Sequence, residues 1–178
     1  MSTPASINKH PIHPMLVVFP IGLWVFSLVC DLIYVLGARD PVWNDMAFYT
    51  MAGGIVGALI AAVPGFIDFL AIREPQVRRI AITHLTLNLL SVGLYAFNLG
   101  LRARSAPGAS VPIGLSAITV VILGISGWLG GELVYARGVG VDLRAGEGAS
   151  GAQVGGHDWR THDRRVRTTD RRMTPAMR

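Results

Sequence analysis

Two histidines, His10 and His13, each stand directly before a proline in the stretch INKHPIHPML, where the chain turns apolar. Imidazole can ligate a metal or carry a proton near neutral pH, so the question is which other groups could join the pair. Asp68 lies five residues before Arg73, His84 five after Arg79 and Glu132 five before Arg137, while His13 follows Lys9 by four. At ~1.5 Å per helical residue, His13, Asp68, His84 and Glu132 would all sit about one to two turns inside one basic boundary. Two imidazoles and two carboxylates at one depth are a suitable donor set for a divalent metal. Opposed imidazoles from two helices could instead hold a haem b iron, and the same groups could hand on a proton. Pro11 and Pro14 disfavour helix in the residues before them, so His10 and His13 are expected on an extended lead-in folded under the rest, His13 being the better placed.

A structural network needing no cofactor competes with these uses and takes precedence over them. In it His84 and Asp68 hydrogen-bond across helices, Glu132 pairs with an arginine and His13 stays wet, because polar side chains serve as packing glue inside membranes and collect at membrane ends in any case. No nucleophile with a base at motif spacing, no phosphate-cradling glycine loop and no paired-cysteine metal motif occurs, so no catalytic residue is assigned and the chain leans away from being an enzyme.

The elements that must position these groups are apolar blocks. Of 178 residues, 51% are hydrophobic and 15% charged. Runs near the ~20 residues needed to cross a bilayer cover Met15 to Leu36, Met46 to Ile72, Ile80 to Leu101 and Val111 to Ala136. The first is too long for a signal-peptide core and lacks a small-residue cleavage site, so it is read as a retained helix. Its Cys30 is the sole cysteine, which leaves no intrachain disulfide. The expected fold is all-α: an integral membrane four-helix bundle with a cytoplasmic lead-in at 1–14, a transmembrane domain at 15–137 and a flexible basic tail at 138–178. Four spans put both termini on one side. That side carries Lys9, Arg73, Arg78, Arg79 and Arg137 against Arg39, Arg102 and Arg104 opposite, which favours the cell inner membrane with cytoplasmic termini.

Polar seams run along two of the helices. His84, Asn88, Ser91, Tyr95 and Asn98 step by four, three, four and three, as do Trp24, Ser27, Asp31 and Tyr34, whose line extends back to Pro20 and His13. Lipid offers no hydrogen bonds, so both seams should face protein. Asp31 lies 18 residues beyond His13 and Arg102 lies 18 beyond His84, which predicts a structural Asp31 to Arg102 ion pair at the far end. Gly53, Gly57, Ala61 and Gly65 give the second helix a smooth face, and Gly124, Gly127 and Gly131 give the fourth a shorter one of the same kind, through which homo-oligomers could form. Pro64 is read as a tolerated kink.

The tail has eight arginines against five acids, enough to contact anionic lipid headgroups; His157, Asp158, His162 and Asp163 are weak metal candidates there, and nucleic acid is not expected as a partner.

HPIHPMLVVFPIGL at the first helix, GFIDF ending the second, the histidine opening the third and GWLGGELVYARGVGV closing the fourth together resemble a bacterial membrane family catalogued as domain of unknown function 2231, over roughly residues 10 to 142. The resemblance implies a four-helix membrane protein with recurring polar residues near one face, among them His13, Asp68, His84 and Glu132. Where relatives often carry histidines, this chain has Val18 and Arg137. Three functions follow as expectations: a scaffold or partner-docking module in the lipid bilayer, a haem- or metal-binding redox protein, and a small transporter or proton conductor along the third helix.

Overall fold

The structure, a computed structural model, describes residues 4–8 and 10–140. The tail residues from 141 onward, with their candidate ligands and proposed lipid contact, lie outside the described residues.

A two-residue antiparallel pair, β1 (Ser6–Ile7) and β2 (His10–Pro11), opens the chain. The helices follow as α1 (Ile12–Leu16), α2 (Val18–Leu36), α3 (Pro41–Ala71), α4 (Pro75–Arg102) and α5 (Ser110–Gly131), the last continued by a π-turn over Glu132–Ala136. With α1 and α2 forming one span, Ile12–Leu36, four spans are long and apolar enough to cross a membrane.

Two helix starts fall five residues earlier than the apolar runs suggest, for the same reason. Asp40 Oδ1 accepts from Val42 N at 2.9 Å, and the Glu74 carboxylate accepts from Gln76 N and Val77 N at 3.3 and 3.0 Å. Each cap is followed by proline at the first helical position, where φ is preset and the missing N–H has no helical role. The lead-in also differs from expectation: His10 lies in β2, but His13 is helical. Pro14 is the third residue of α1, and the first four N–H groups of a helix have no helical partner, so the ring costs no backbone bond there. At the other end Gly138 takes a left-handed φ of 64° and closes the last turn.

The bundle gathers its polar side chains inside, around a core of Trp24, Met51, Tyr95 and Leu123, and turns apolar ones outward. Ser27, Asp31, Ser91, Asn98, Ser116, Thr119 and Ser126 are buried, whereas Phe19, Leu59, Val63, Phe97, Ile118, Val121 and Trp128 are exposed. That inversion suits a solvent that rewards apolar surface and offers no hydrogen bonds. Around the ring α2 packs on α3, α3 on α4, α4 on α5 and α5 on α2. The diagonal pair α2 and α4 meets through side chains, with the Trp24 and Tyr95 rings stacked 4.3 Å apart at 15°.

The two halves are built alike. Ser27 Oγ donates to Ala47 O on α3 at 2.7 Å, and Asn98 Nδ2 donates to Pro112 O on α5 at 2.9 Å. His13 Nδ1 bonds Ala61 O on α3, and His84 Nδ1 bonds Ser126 O on α5, both at 2.8 Å. Each donor pair is 71 positions apart and each acceptor pair 65. Equivalent residues also touch one another: His13 with His84, Trp24 with Tyr95, Asp31 with Arg102. Residues that touch their own equivalents lie on a two-fold axis. Three such pairs strung along α1–α2 and α4 make the bundle two copies of one helical hairpin about an axis parallel to the helices.

The small residues divide by face. Gly53 and Gly57 pack against Leu23 and Pro20, and Gly54 lies under the Trp24 indole. Within the chain the strip of α5 is open: Gly124 and Gly127 meet nothing within 4 Å, and Gly131 meets its own Tyr135. Ser116, Thr119, Leu123 and Ser126 hold the inner face of α5 instead.

Candidate functional site

At the end of the bundle bearing the chain's start, His13 and His84 are brought together from α1 and α4 with ring centroids 6.3 Å apart and planes at 86°. Each ring is set by two features of the helix opposite. Its Nδ1 lies on a main-chain carbonyl, and its ring packs against a glycine one turn beyond that carbonyl. A Cβ at Gly65 would stand 2.6 Å from His13 Nδ1, and one at Gly130 would stand 3.0 Å from His84 Cε1. A carbonyl only accepts, so each Nδ1 carries a proton. At His84 the Asn88 amide fixes Nε2 as the lone-pair nitrogen, its Nδ2 donating to His84 Nε2 at 3.0 Å and also to the His84 carbonyl. Ser126 Oγ adds a contact to His84 Nδ1 at 3.1 Å.

The two carboxylates of the expected cluster go elsewhere. Asp68 Oδ1 accepts from Ala5 N at 3.0 Å and pins the lead-in, whose Ala5 carbonyl in turn accepts from Ile12 N. Glu132 faces Arg137 Nε at 3.4 Å, with both side chains more than a third exposed. His10 is exposed and bonds Asn8 O through Nδ1. Among the described residues no three His, Cys, Asp or Glu side chains form a group able to hold a metal.

At the far end Arg102 Nη1 donates to Asp31 Oδ1 at 2.7 Å, and Nη2 donates to the other carboxylate oxygen and to Ser116 Oγ. The two side chains are 7% and 4% exposed, so the pair is removed from any polar solvent and its bidentate geometry carries the compensation for burial. Asn98 Nδ2 reaches the same Ser116 Oγ at 2.9 Å. In mid-bundle Trp24 Nε1 donates to Met51 O at 3.2 Å.

Sequence reasoning passed over Ser126, Gly130 and Gly54. A partial signal is the internal repeat: PIGLWVFSL at 20–28 and SVGLYAFNL at 91–99 share Gly, Leu, Phe and Leu in register, with Trp against Tyr and Ser against Asn between them. That register of α2 and α4 is an offset of 71, whereas Ala61 and Gly65 reach Ser126 and Gly130 only with a second offset, 65 between α3 and α5, which the repeat does not supply.

No curated protein matches this chain, and no solved structure does. One family matches residues 9–143, and its description is that of a predicted membrane protein, DUF2231.

Proposed function

The chain belongs to that family, domain of unknown function 2231, and from this premise we propose that it is a non-enzymatic multi-pass scaffold whose polar interior fixes four helices and whose ends dock partners. One observation carries the reading. The interior donors His13, Trp24, Ser27, His84 and Asn98 each bond a main-chain carbonyl of the neighbouring helix. Such bonds stabilise a bundle by about 0.6 kcal/mol each and up to about 1.7. Donors committed in this way are not arrayed toward a substrate. Placement in a bacterial inner membrane with cytoplasmic termini is part of the same proposal. It is supported by the bias of lysine and arginine toward the side of Arg73, Arg78, Arg79 and Arg137.

Reconstitution into liposomes tests the scaffold against the transporter. The expected result is proton and cation flux equal to that of empty vesicles, together with loss of thermal stability in Ser27→Ala and Asn98→Ala. Flux above background that disappears in His84→Ala or Asn98→Ala would replace the scaffold with a conductor.

A further inference from the structure

We propose that the junction of α3 and α4 is a binding site for an anionic phospholipid, with the phosphate on Arg78, flanked by Arg73 and Arg79, and the acyl chains along the exposed ends of the two helices. The proposal goes beyond the scaffold reading and stands independently of it, since it needs only that the chain lies in a bilayer.

The argument begins with one side chain. Arg78 stands near the start of α4 and reaches back to the end of α3. Its Nη1 donates to Ile72 O at 3.3 Å, and its guanidinium carbon lies 5.2 Å from the centroid of the Phe69 ring. Phe69 is stacked in turn on Phe66, the ring centroids 6.1 Å apart. A long, flexible cation is thereby held across the junction by a carbonyl and a ring face, and most of its N–H donors remain for a ligand. A guanidinium fork matches two oxygens of one phosphate group.

Charge complementarity selects an anion. Arg73, Arg78 and Arg79 are all exposed, and among the described residues no carboxylate forms an ion pair with any of them. The acids at this end are turned elsewhere. Glu74 accepts from the amides of Gln76 and Val77, Asp68 accepts from Ala5 N, and Glu132 faces Arg137. Residues 72–80 carry a net +2, three arginines less Glu74.

The surroundings select a lipid over a soluble anion. Phe66 and Leu70 on α3 and Ile82 on α4 lie on the bilayer side of the arginines, and all three are exposed. Apolar side chains left uncovered at this depth are met by acyl chains. Leu133 packs with Ile72, Val77 and Ala81, which brings the end of α5 to the same level, and there Tyr135 is exposed as an aromatic ring at headgroup height. A phosphate ester with acyl tails satisfies the charged and the apolar part of this surface together, whereas inorganic phosphate meets only the first.

Native mass spectrometry of the purified full-length protein, released from micelles holding equal amounts of phosphatidylglycerol and phosphatidylcholine, tests the site. Preferential retention of phosphatidylglycerol is expected. Arg78→Gln should lower that preference about fivefold, the equivalent of the ~1 kcal/mol that one basic side chain contributes at an anionic membrane surface, and substituting Arg73, Arg78 and Arg79 together should lower it about a hundredfold. Phe69→Leu keeps every charge but releases the guanidinium, and should lower the preference about two- to fivefold. Arg104→Gln, on the opposite loop, should leave it unchanged. Raising the salt from about 0.1 M to about 1 M shortens the screening length from about 10 Å to about 3 Å, and should remove most of the preference of the native chain for spin-labelled phosphatidylglycerol in vesicles, a readout that needs no variant to fold. Equal retention of the two lipids or a preference insensitive to salt would overturn the proposal. So would a triple variant that binds like the native chain, since the lipid would then belong to the arginines of the tail, and so would release of the lipid by inorganic phosphate.

Discussion

The Asp31 and Arg102 side chains illustrate how one contact can be expensive to break and cheap to replace. Both are buried and bound to each other, so Asp31→Asn should destabilise the protein by about 3–5 kcal/mol, because it strands a guanidinium away from water. The double variant Asp31→Leu, Arg102→Met removes both charges and should recover most of that loss. Denaturant titration of the three proteins in detergent checks the ordering; equal losses in the single and double variants would contradict it. At this scale the sequence was informative where two groups shared a depth. Equal spacing from His13 and His84 placed Asp31 and Arg102 at one height. It was uninformative where a side chain had several possible partners, as at Asp68, which shares a depth with His84 yet turns to a lead-in amide that no periodicity encodes.

At the scale of elements, the same glycine chemistry has opposite effects on the inner face of α3 and the open face of α5. A Cβ at Gly54 would stand 2.4 Å from Trp24 Nε1, so Gly54→Ala should cost about 1–3 kcal/mol by overpacking and weaken the indole bond to Met51 O. Gly124 meets nothing, and Gly124→Ala should be neutral or slightly stabilising through higher helix propensity. Thermal melts in one detergent compare the two, and similar shifts for both would count against the packing described. The helices were legible from hydropathy, but two of their starts were not, since the apolar run begins a turn or more after the chain becomes helical. The dipeptides Asp40-Pro41 and Glu74-Pro75 carry that information as cap and first-turn residues. The fourth helix was legible only in part. A strip of glycines marks a smooth face but not which helix meets it, and the face turned into the bundle is the one bearing Ser116, Thr119 and Ser126.

On the scale of the whole molecule, the hairpins 12–71 and 75–136 are joined by one short connection. Co-expressed as separate chains cut between Arg73 and Glu74, they should assemble in the membrane and co-purify through affinity tags on the two fragments, as independently stable helices that associate laterally. Failure of the halves to associate would show that the connection carries the pairing. The repeat was available in the sequence as PIGLWVFSL and SVGLYAFNL, but periodicity within one helix does not reveal similarity between two. Along the axis most equivalent pairs stay chemically alike, imidazole facing imidazole and indole facing phenol ring. The acid facing the guanidinium is the exception. Two copies of the first hairpin would set Asp31 against Asp31, and two copies of the second would set Arg102 against Arg102. Among the described residues on the axis this site of unlike charge would act as an address label, penalising a match of either half with its own kind and favouring the sibling on the same polypeptide over a stranger in the bilayer.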